Sequence, residues 1–326
     1  MYLKADIRIV RKIIHWFAVR KPVLGIEISD STVSLAAFSR RGRDISVDYM
    51  KTADLPSGMV TAGYASPNIL DTEGLVRALR ACLPDSSRSF RRSALSLPDS
   101  VFCVQVLDFD ELPSKHEERE RLIRWRIEKT AAIDITDTVL RYQELPRKGT
   151  RFEVLVCVAK RAVIAQYEMA LQNARLEPWS IGISSFNTLN FYSPLLEKKS
   201  PVFALIHLAE EFFTTIIAEG GGVRYYRYKE LKRGNPSEIR TRFMREIEDS
   251  LHFYTHRERA QTCEVQHLYL TGESTLPSEL AEVLSTASWL NVDVLSPDGI
   301  IPMNGGKVAA ESCQAAIAAL GAGITL

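Results

Sequence analysis

GIEISDST, residues 25–32, decides how this chain is read. Gly25, Ile26 and Ile28 read as the end of a buried strand, and Glu27, Ser29, Asp30, Ser31 and Thr32 as a tight polar turn. Working outward, residues 23–47 read as strand, polar turn, strand over Val33 to Phe38, a turn at Gly42 and a third strand. VFALIHLAEEFFTTIIAEGGGVRYY, residues 202–226, reads the same way, with a polar turn at Ala209 to Glu211 and a glycine turn at Gly220–Gly222. Glu27 then falls on His207, an offset of 180 (207 minus 27), Val33 falls on Phe213, and Gly42 on Gly222. That distance is too long for a solenoid repeat. It suggests two similar α/β lobes, each opening with a β-meander.

The wider composition agrees. The chain has 326 residues, 46% apolar and 25% charged, which suits a globular protein with a real core. A formal net charge of +1 gives no global electrostatic case for nucleic acid. Cys82, Cys103, Cys157, Cys263 and Cys313 are scattered and never spaced as CxxC. That pattern argues for a reducing compartment and against a disulfide frame or a zinc site. No uncharged apolar run approaches the roughly 20 residues of a membrane-spanning helix.

The N-terminus is distinctive. In MYLKADIRIVRKIIHWFAVRKP, Leu3, Ile7, Val10, Ile14 and Phe17 share one helical face, beside Lys4, Arg8, Arg11, Lys12, Arg20 and Lys21. Residues 1–22 are therefore expected to form a basic amphipathic helix. It would lie on an anionic membrane surface through residues 1–21, with Trp16 at the interface, or pack on the body of the protein or on another copy. A charge-interrupted apolar face without a small-residue cleavage site does not suit a signal peptide.

Between the meanders, Glu73 to Leu83 reads as a short helix with Leu75, Val76 and Leu79 inward. Strands are expected at Ser93–Leu97 and Val101–Phe109, around the Pro98-Asp99-Ser100 turn. Ser114 with Glu117 three residues on predicts a capping box opening a helix, with Leu122, Ile123, Trp125 and Ile127 against a dense mix of charge. Trp125 is expected in the core. Strands at Val139–Leu145 and Phe152–Val158 and a helix from Ala162 to Ala174 complete a β-β-α-β-β-α block over residues 91–175, read as an inserted subdomain. Beyond the second meander, Ile239, Phe243, Ile247, Leu251 and Tyr254 line one helical face. HLYLTGES, residues 267–274, is a strand entering a glycine turn, and a helix from Pro277 to Thr286 follows, capped near Thr275. NVDVLSP, residues 291–297, is another strand. An Ala-rich helix from Ala309 to Leu320 is expected to stop before Gly321 and Gly323.

These segments resemble the actin-like ATPase superfamily, and within it the PilM-like family of cytoplasmic type IV pilus assembly proteins. GIEISDSTVSLAAF resembles that family's first phosphate strand-turn-strand. LPSGMVTAGYASPNILD, residues 55–71, is similar to its connection into a helix. LSLPDSVFCVQVLDFDELPSKHEERERLIRWRIEK resembles its inserted subdomain, with an Arg-Trp pair at Arg124 and Trp125. IEDSLHFY, residues 247–254, and LYLTGES, residues 268–274, resemble its later nucleotide-lobe signatures.

The resemblance implies an α/β, two-lobe actin-like (ribonuclease H-like) fold with an inserted α+β subdomain. Its parts would be residues 23–90 and 176–200 as the first lobe, 91–175 as the insertion and 201–326 as the second lobe. It implies ATP and Mg²⁺ between the lobes. Glu27, Ser29, Asp30, Ser31 and Thr32 would sit at the first phosphate turn, His207, Ala209 and Glu210 at the second, Glu246 on the intervening helix, and Gly272 and Glu273 on the adenosine side. It implies a PilN-like single-pass membrane protein as partner. The partner's short cytoplasmic N-terminal peptide would lie in a groove between the first lobe and the insertion. The protein would then be cytoplasmic and peripheral to the inner membrane. Two further functions come from the same superfamily: an ATP-dependent kinase or ATPase, and a division protein similar to FtsA.

The phosphate turns depart from the family. Where the family has Asp-x-Gly, this chain has Glu27-Ile28-Ser29 and His207-Leu208-Ala209. A lysine or threonine position near the first turn is Ser34, and the paired glycines of the adenosine turn are Gly272-Glu273. Asp30, Glu210 and Glu211 add charge that repels phosphate, and each pair at about 4 Å costs roughly 1 kcal/mol in water and more at lower dielectric. If Mg²⁺ is present, Glu27, Asp30 or Glu210 would be its ligands. A weak or absent ATPase activity is expected.

Other motifs carry less. His252 and His256 are four apart with Glu248 one turn earlier, a metal spacing that lacks HExxH order and a third ligand. No GxSxG nucleophile motif is present. Gly220-Gly221-Gly222 suits a hairpin turn better than a phosphate loop. RYYRYKELKR, residues 224–233, suits a strand with one exposed face better than a nucleic-acid surface.

Overall fold

A computed structural model describes residues 6–8, 23–41, 44–84, 92–147, 150–208, 212–230, 235–257, 265–272, 276–287, 290–303 and 313–324. The strands are β1 (Asp6–Arg8), β2 (Val23–Ile28), β3 (Thr32–Arg41), β4 (Asp44–Asp54), β5 (Arg92–Leu97), β6 (Cys103–Phe109) and β7 (Thr138–Glu144). Then come β8 (Phe152–Lys160), β9 (Glu177–Ile183), β10 (Val202–Leu208), β11 (Phe212–Glu219), β12 (Gly222–Glu230), β13 (His267–Gly272) and β14 (Asn291–Val294). The helices are α1 (Thr72–Cys82), α2 (His116–Ala131), α3 (Arg161–Asn173), α4 (Ser184–Lys199), α5 (Pro236–Arg257), α6 (Leu276–Ala287) and α7 (Ile317–Ile324).

Three sheets result: β1-β9-β5-β2-β3-β4, β12-β11-β10-β13-β14 and β6-β8-β7. The first two share one plan. Each meander is antiparallel, and its first strand takes two successive parallel neighbours, β5 then β9 in one sheet and β13 then β14 in the other. The 180-residue offset survives at the level of register. Ile28 opposes Val33 as Leu208 opposes Phe213, and each second strand breaks register once, between Ala37 and Phe38 in β3 and between Ile217 and Ala218 in β11. Conserving the position of a bulge is a stricter match than a shared hydrophobic pattern, because a bulge fixes local bend and twist. Gly42 lies outside the described residues. In the second hairpin the turn is Gly220-Gly221, both at positive φ (58° and 74°), and Gly222 already begins β12 opposite Glu219.

The second sheet shows how alternation divides a core. Ala204, Ile206, Leu208, Phe213, Ile217, Leu268 and Leu270 pack with Phe243, Ile247 and Tyr254 of α5 and with Leu280 and Leu284 of α6. The alternate residues Phe203, Leu205, Ile216 and Tyr269 join the large core of the first sheet and α4. Strands buried on both faces read as unbroken apolar runs, which is why VFALIHL carries no alternation. The third sheet has a core of its own, Leu107, Phe109, Leu140, Val154, Val156 and Val158 under Ile123 and Ile127 of α2.

On the first sheet, α1 sits over the face bearing Leu24, where the Tyr49 hydroxyl donates to the Cys82 carbonyl at 3.0 Å. Its start is well defined: the Asp71 side chain caps it by accepting from the Gly74 N–H. The opposite face carries α7, wedged between β2 and α4. The fit is main chain against main chain, since a Cβ on Gly321 would lie 1.8 Å from the Asn187 carbonyl oxygen.

Several sequence expectations need correcting. The basic amphipathic helix expected over residues 1–22 is not helical at Asp6–Arg8, which form β1 and pair in parallel with Ser180–Gly182 of β9; the rest of that segment lies outside the described residues. Main-chain pairing at an open sheet edge satisfies backbone groups that an isolated short helix leaves unpaired. The Ser114–Glu117 capping box does not form: α2 begins at His116, Lys115 makes no side-chain cap, and Lys115 pairs with Glu118 instead. Trp125 is not in the core but 53% exposed. Ile123 and Ile127 occupy the inward face, and the 3.6-residue period turns position 125 away from it.

The β-β-α-β-β-α block expected over residues 91–175 is split. β5 lies between β2 and β9 of the first sheet, and α3 packs on α1 and β9, leaving β6, α2, β7 and β8 as the separate unit. The expected second lobe is likewise not contiguous, because α7 packs on β2, β3 and β5. That helix runs through Gly321 and Gly323 rather than stopping before them; residues 309–312 lie outside the described set. Glycine costs a helix interior roughly 1 kcal/mol relative to alanine, and close packing against β2 and α4 offsets it.

Candidate functional site

The first sequence-predicted phosphate turn lies at the carboxyl end of β2, where open α/β sheets bind ligands; the second, residues 209–211, lies outside the described residues. In the first turn the Ser29 hydroxyl organises everything. Ser31 and Thr32 donate their N–H groups to Ser29 Oγ at 3.3 and 2.9 Å, and Ser29 N–H donates to the Thr32 carbonyl at 2.9 Å. This is a serine turn whose main-chain donors point inward. Asp30 Oδ1 accepts from the Ala62 N–H at 2.6 Å and so anchors the 59–70 connection. Glu27 Oε1 accepts from the Ser184 hydroxyl at the start of α4, at 2.8 Å. Ser34, opposite Glu27, is fully buried and donates to the Ala315 carbonyl at 2.9 Å.

On the second sheet, His207 pairs across to Thr214 and Thr271 and packs against Phe212. Burial pushes its pKa below the usual histidine value, partly opposed by the charge of Asp99. Its Nδ1 has no hydrogen-bond partner among the described residues. Ala209, Glu210 and Glu273 lie outside the described residues. Glu246 is not a free carboxylate: it accepts from Arg227 Nη2 at 2.8 Å and from Lys229 Nζ, tying α5 to β12. Gly272 ends β13 with its Cα pressed on β10, where a Cβ would meet the Leu208 carbonyl oxygen at 2.3 Å, and its own carbonyl accepts from Gln314 Nε2 at 2.8 Å. The structure thus gathers Glu27, Ser29, Asp30, Ser31 and Thr32 at one sheet end, and His207 and Gly272 at the other. Glu246 stands apart in an ion-pair network.

The group that joins the two ends is one sequence reading passed over. Asp99, in the short 3₁₀ turn between β5 and β6, is 1% exposed. Ser185 of α4 donates to it from its N–H at 3.1 Å and from its hydroxyl; Thr214 of β11 donates at 3.1 Å and Tyr226 of β12 at 2.7 Å. Burial, then the Asp99 charge, raises the Tyr226 pKa well above its usual value, so the phenol stays protonated as a donor. In sequence, Pro98-Asp99-Ser100 reads only as a turn. Its partners lie 86 to 127 residues away, and no local signal names them.

The third sheet is tied to the second by a buried pair, Arg224 of β12 with Glu153 of β8, and Arg224 Nη2 also donates to the Pro146 carbonyl at 2.7 Å. It is tied to the first sheet's layer by Tyr64 donating to the Asp134 carbonyl and Ser100 donating to the Ala62 carbonyl at 3.2 Å. Next to that junction Asn68 takes its place through Gln166 of α3, at 2.8 Å. Leu70 and Met169, each within three residues of this contact, are 66% and 50% exposed. No group of three or more metal-ligating side chains occurs among the described residues, His252 and His256 included, and no helix among them is long and apolar enough to cross a membrane.

Two sheets of one plan, joined through a shared junction and carrying a third sheet as an insertion, define an actin-like ATPase fold. Comparison with solved structures bears this out. A chain of a PilM-PilN type IV pilus biogenesis complex matches with a TM-score of 0.77 over 94% of this chain and 99% of that one, at 18% identity. A Bacteroides thetaiotaomicron protein described as having an actin-like ATPase fold and unknown function matches with a TM-score of 0.50 over 85% and 91% of the two chains, at 13% identity. No protein-family model matches the sequence, and no curated protein matches it.

Proposed function

We propose that this chain is a cytoplasmic scaffold of a type IV pilus, or of a related secretion machine, at the inner membrane. In this reading it binds the short cytoplasmic peptide of a PilN-like single-pass membrane protein, and its nucleotide cleft no longer works. The observation that carries the reading is the likeness, over nearly the whole of both chains, to a chain of a PilM-PilN complex. The groove between the first sheet's layer and the third sheet is the peptide site, and exposed Leu70 and Met169 beside it supply apolar surface that a partner would cover. The basic N-terminal residues Lys4, Arg8, Arg11 and Lys12 add attraction to anionic lipid.

At the first phosphate turn the residues present do not fit ATP and Mg²⁺. A phosphate clamp needs outward main-chain N–H groups, and in the first turn those of Ser29, Ser31 and Thr32 are spent inside the turn. Glu27 is held by Ser184, and Asp30 by the Ala62 N–H. Their charge repels phosphate. No step of nucleotide hydrolysis is assigned.

The test is calorimetric titration of the full chain with a synthetic peptide copying the cytoplasmic tail of the candidate partner. Micromolar binding that Leu70→Asp or Met169→Asp abolishes without lowering Tm is expected. Absence of binding by the unaltered chain overturns the scaffold reading.

A further inference from the structure

We propose that Asp99 is an interlobe clasp: a buried carboxylate, held at once by the start of α4 and by two strands of the second sheet, that keeps the two lobes in one fixed arrangement. This goes beyond the partner reading and does not depend on it.

Asp99 stands where the chain leaves the first sheet for the third. Its Oδ2 takes the Ser185 N–H of α4. Its Oδ1 takes three hydroxyls, from Ser185, from Thr214 of β11 and from Tyr226 of β12. Two of the four donors therefore belong to the second sheet and two to the helix that follows the first. At 1% exposure the carboxylate has no solvent to replace a donor that withdraws. An ionised group so placed is tolerable only while its hydrogen bonds are complete. Moving the second sheet away from α4 strips the Thr214 and Tyr226 hydroxyls from Oδ1 and leaves a buried charge half-satisfied. Opening is opposed by that loss rather than by the apolar packing alone.

The geometry also places an internal anion on the N-terminus of α4, a 16-residue helix whose first-turn N–H groups have no intrahelical partner and whose dipole end is positive. Glu27 approaches the same terminus through Ser184. The helix end that faces the lobe junction is thus occupied by the protein's own carboxylates. Tyr226 is in turn held edge-on by Phe186 of α4, with ring centroids 5.3 Å apart, so both donor and helix are fixed by packing.

Native-state hydrogen exchange on the full chain tests the clasp. In Asp99→Ala, backbone amides of residues 184–187 and 213–216 should exchange about tenfold faster or more, while those of 154–158 in the third sheet stay near wild-type rates. Should that variant fail to fold, the double variant Thr214→Val with Tyr226→Phe carries the test, because it removes only the second-sheet donors and keeps the charge. It should accelerate the same two segments. Unchanged exchange there in the double variant, or equal acceleration in all three sheets, overturns the proposal and leaves Asp99 as an ordinary stabilising residue.

Discussion

Gly25 of β2 lies directly against the Ala319 carbonyl of α7: a Cβ built on Gly25 would sit 1.9 Å from that oxygen. Both partners are main chain, so neither can swing aside. Gly25→Ala should cost about 3 kcal/mol or more, the upper range for overpacking, read as a lower denaturation midpoint in urea. A loss below about 0.5 kcal/mol would mean that α7 does not dock on β2 as described.

The Arg224–Glu153 pair gives a second prediction. Both side chains are buried, at 4% and 10% exposure, and they join the second and third sheets. Glu153→Ala removes the nearer of the guanidinium's two carboxylate partners, leaving Glu219 at 3.9 Å, and should cost about 3 kcal/mol. Exchanging both residues for apolar ones of similar size should recover much of that loss. Equilibrium unfolding of the two singles and the double closes the cycle.

His207 sets a pH dependence. Its pKa is lowered in the fold, chiefly by burial, from an ordinary value of 6.5. The unfolded chain therefore binds the proton more readily than the folded one. Stability should fall as pH drops below about 6.5 and level off below the folded pKa, with a slope of up to about 1.4 kcal/mol per pH unit for this group. His207→Gln should flatten that part of the profile between pH 7.5 and 5.5. Identical profiles for the two proteins would remove His207 as the cause.

Nucleotide gives a fourth. With the N–H groups of Ser29, Ser31 and Thr32 consumed inside the turn, millimolar Mg-ATP should leave Tm unchanged, and Glu27→Ala should lower stability by about 1 kcal/mol, the worth of its bond with Ser184. A Tm rise of several degrees with Mg-ATP, lost in Glu27→Ala, would show a working cleft.

Much of this was legible locally. The two meanders announced themselves because a hairpin is built from neighbours in sequence, and their common spacing carried through to register and bulge. α1 was legible from Leu75, Val76 and Leu79, which sit inward at helical spacing. Where a charged, weakly amphipathic helix is concerned the pattern misled: Trp125 shares a run with Ile123 and Ile127 yet faces outward. At the candidate site the sequence named the turn residues but not what their side chains do, because Ser29 spends its hydroxyl on its own turn and Glu246 its carboxylate on Arg227 and Lys229.

The sequence by itself determined the two β-meanders, the lack of an uncharged apolar run long enough for a membrane-spanning helix, and the acidic, glycine-poor character of the first turn. Those properties are set by residues within a few positions of one another. Only the tertiary structure decided which sheet owns β5 and α7, that Asp6–Arg8 pair as a strand, and that Asp99 joins α4 to β11 and β12. Each of those depends on groups brought together from distant parts of the chain. The force that selects them, completing the hydrogen bonds of buried backbone and buried charge, acts only after the core has closed.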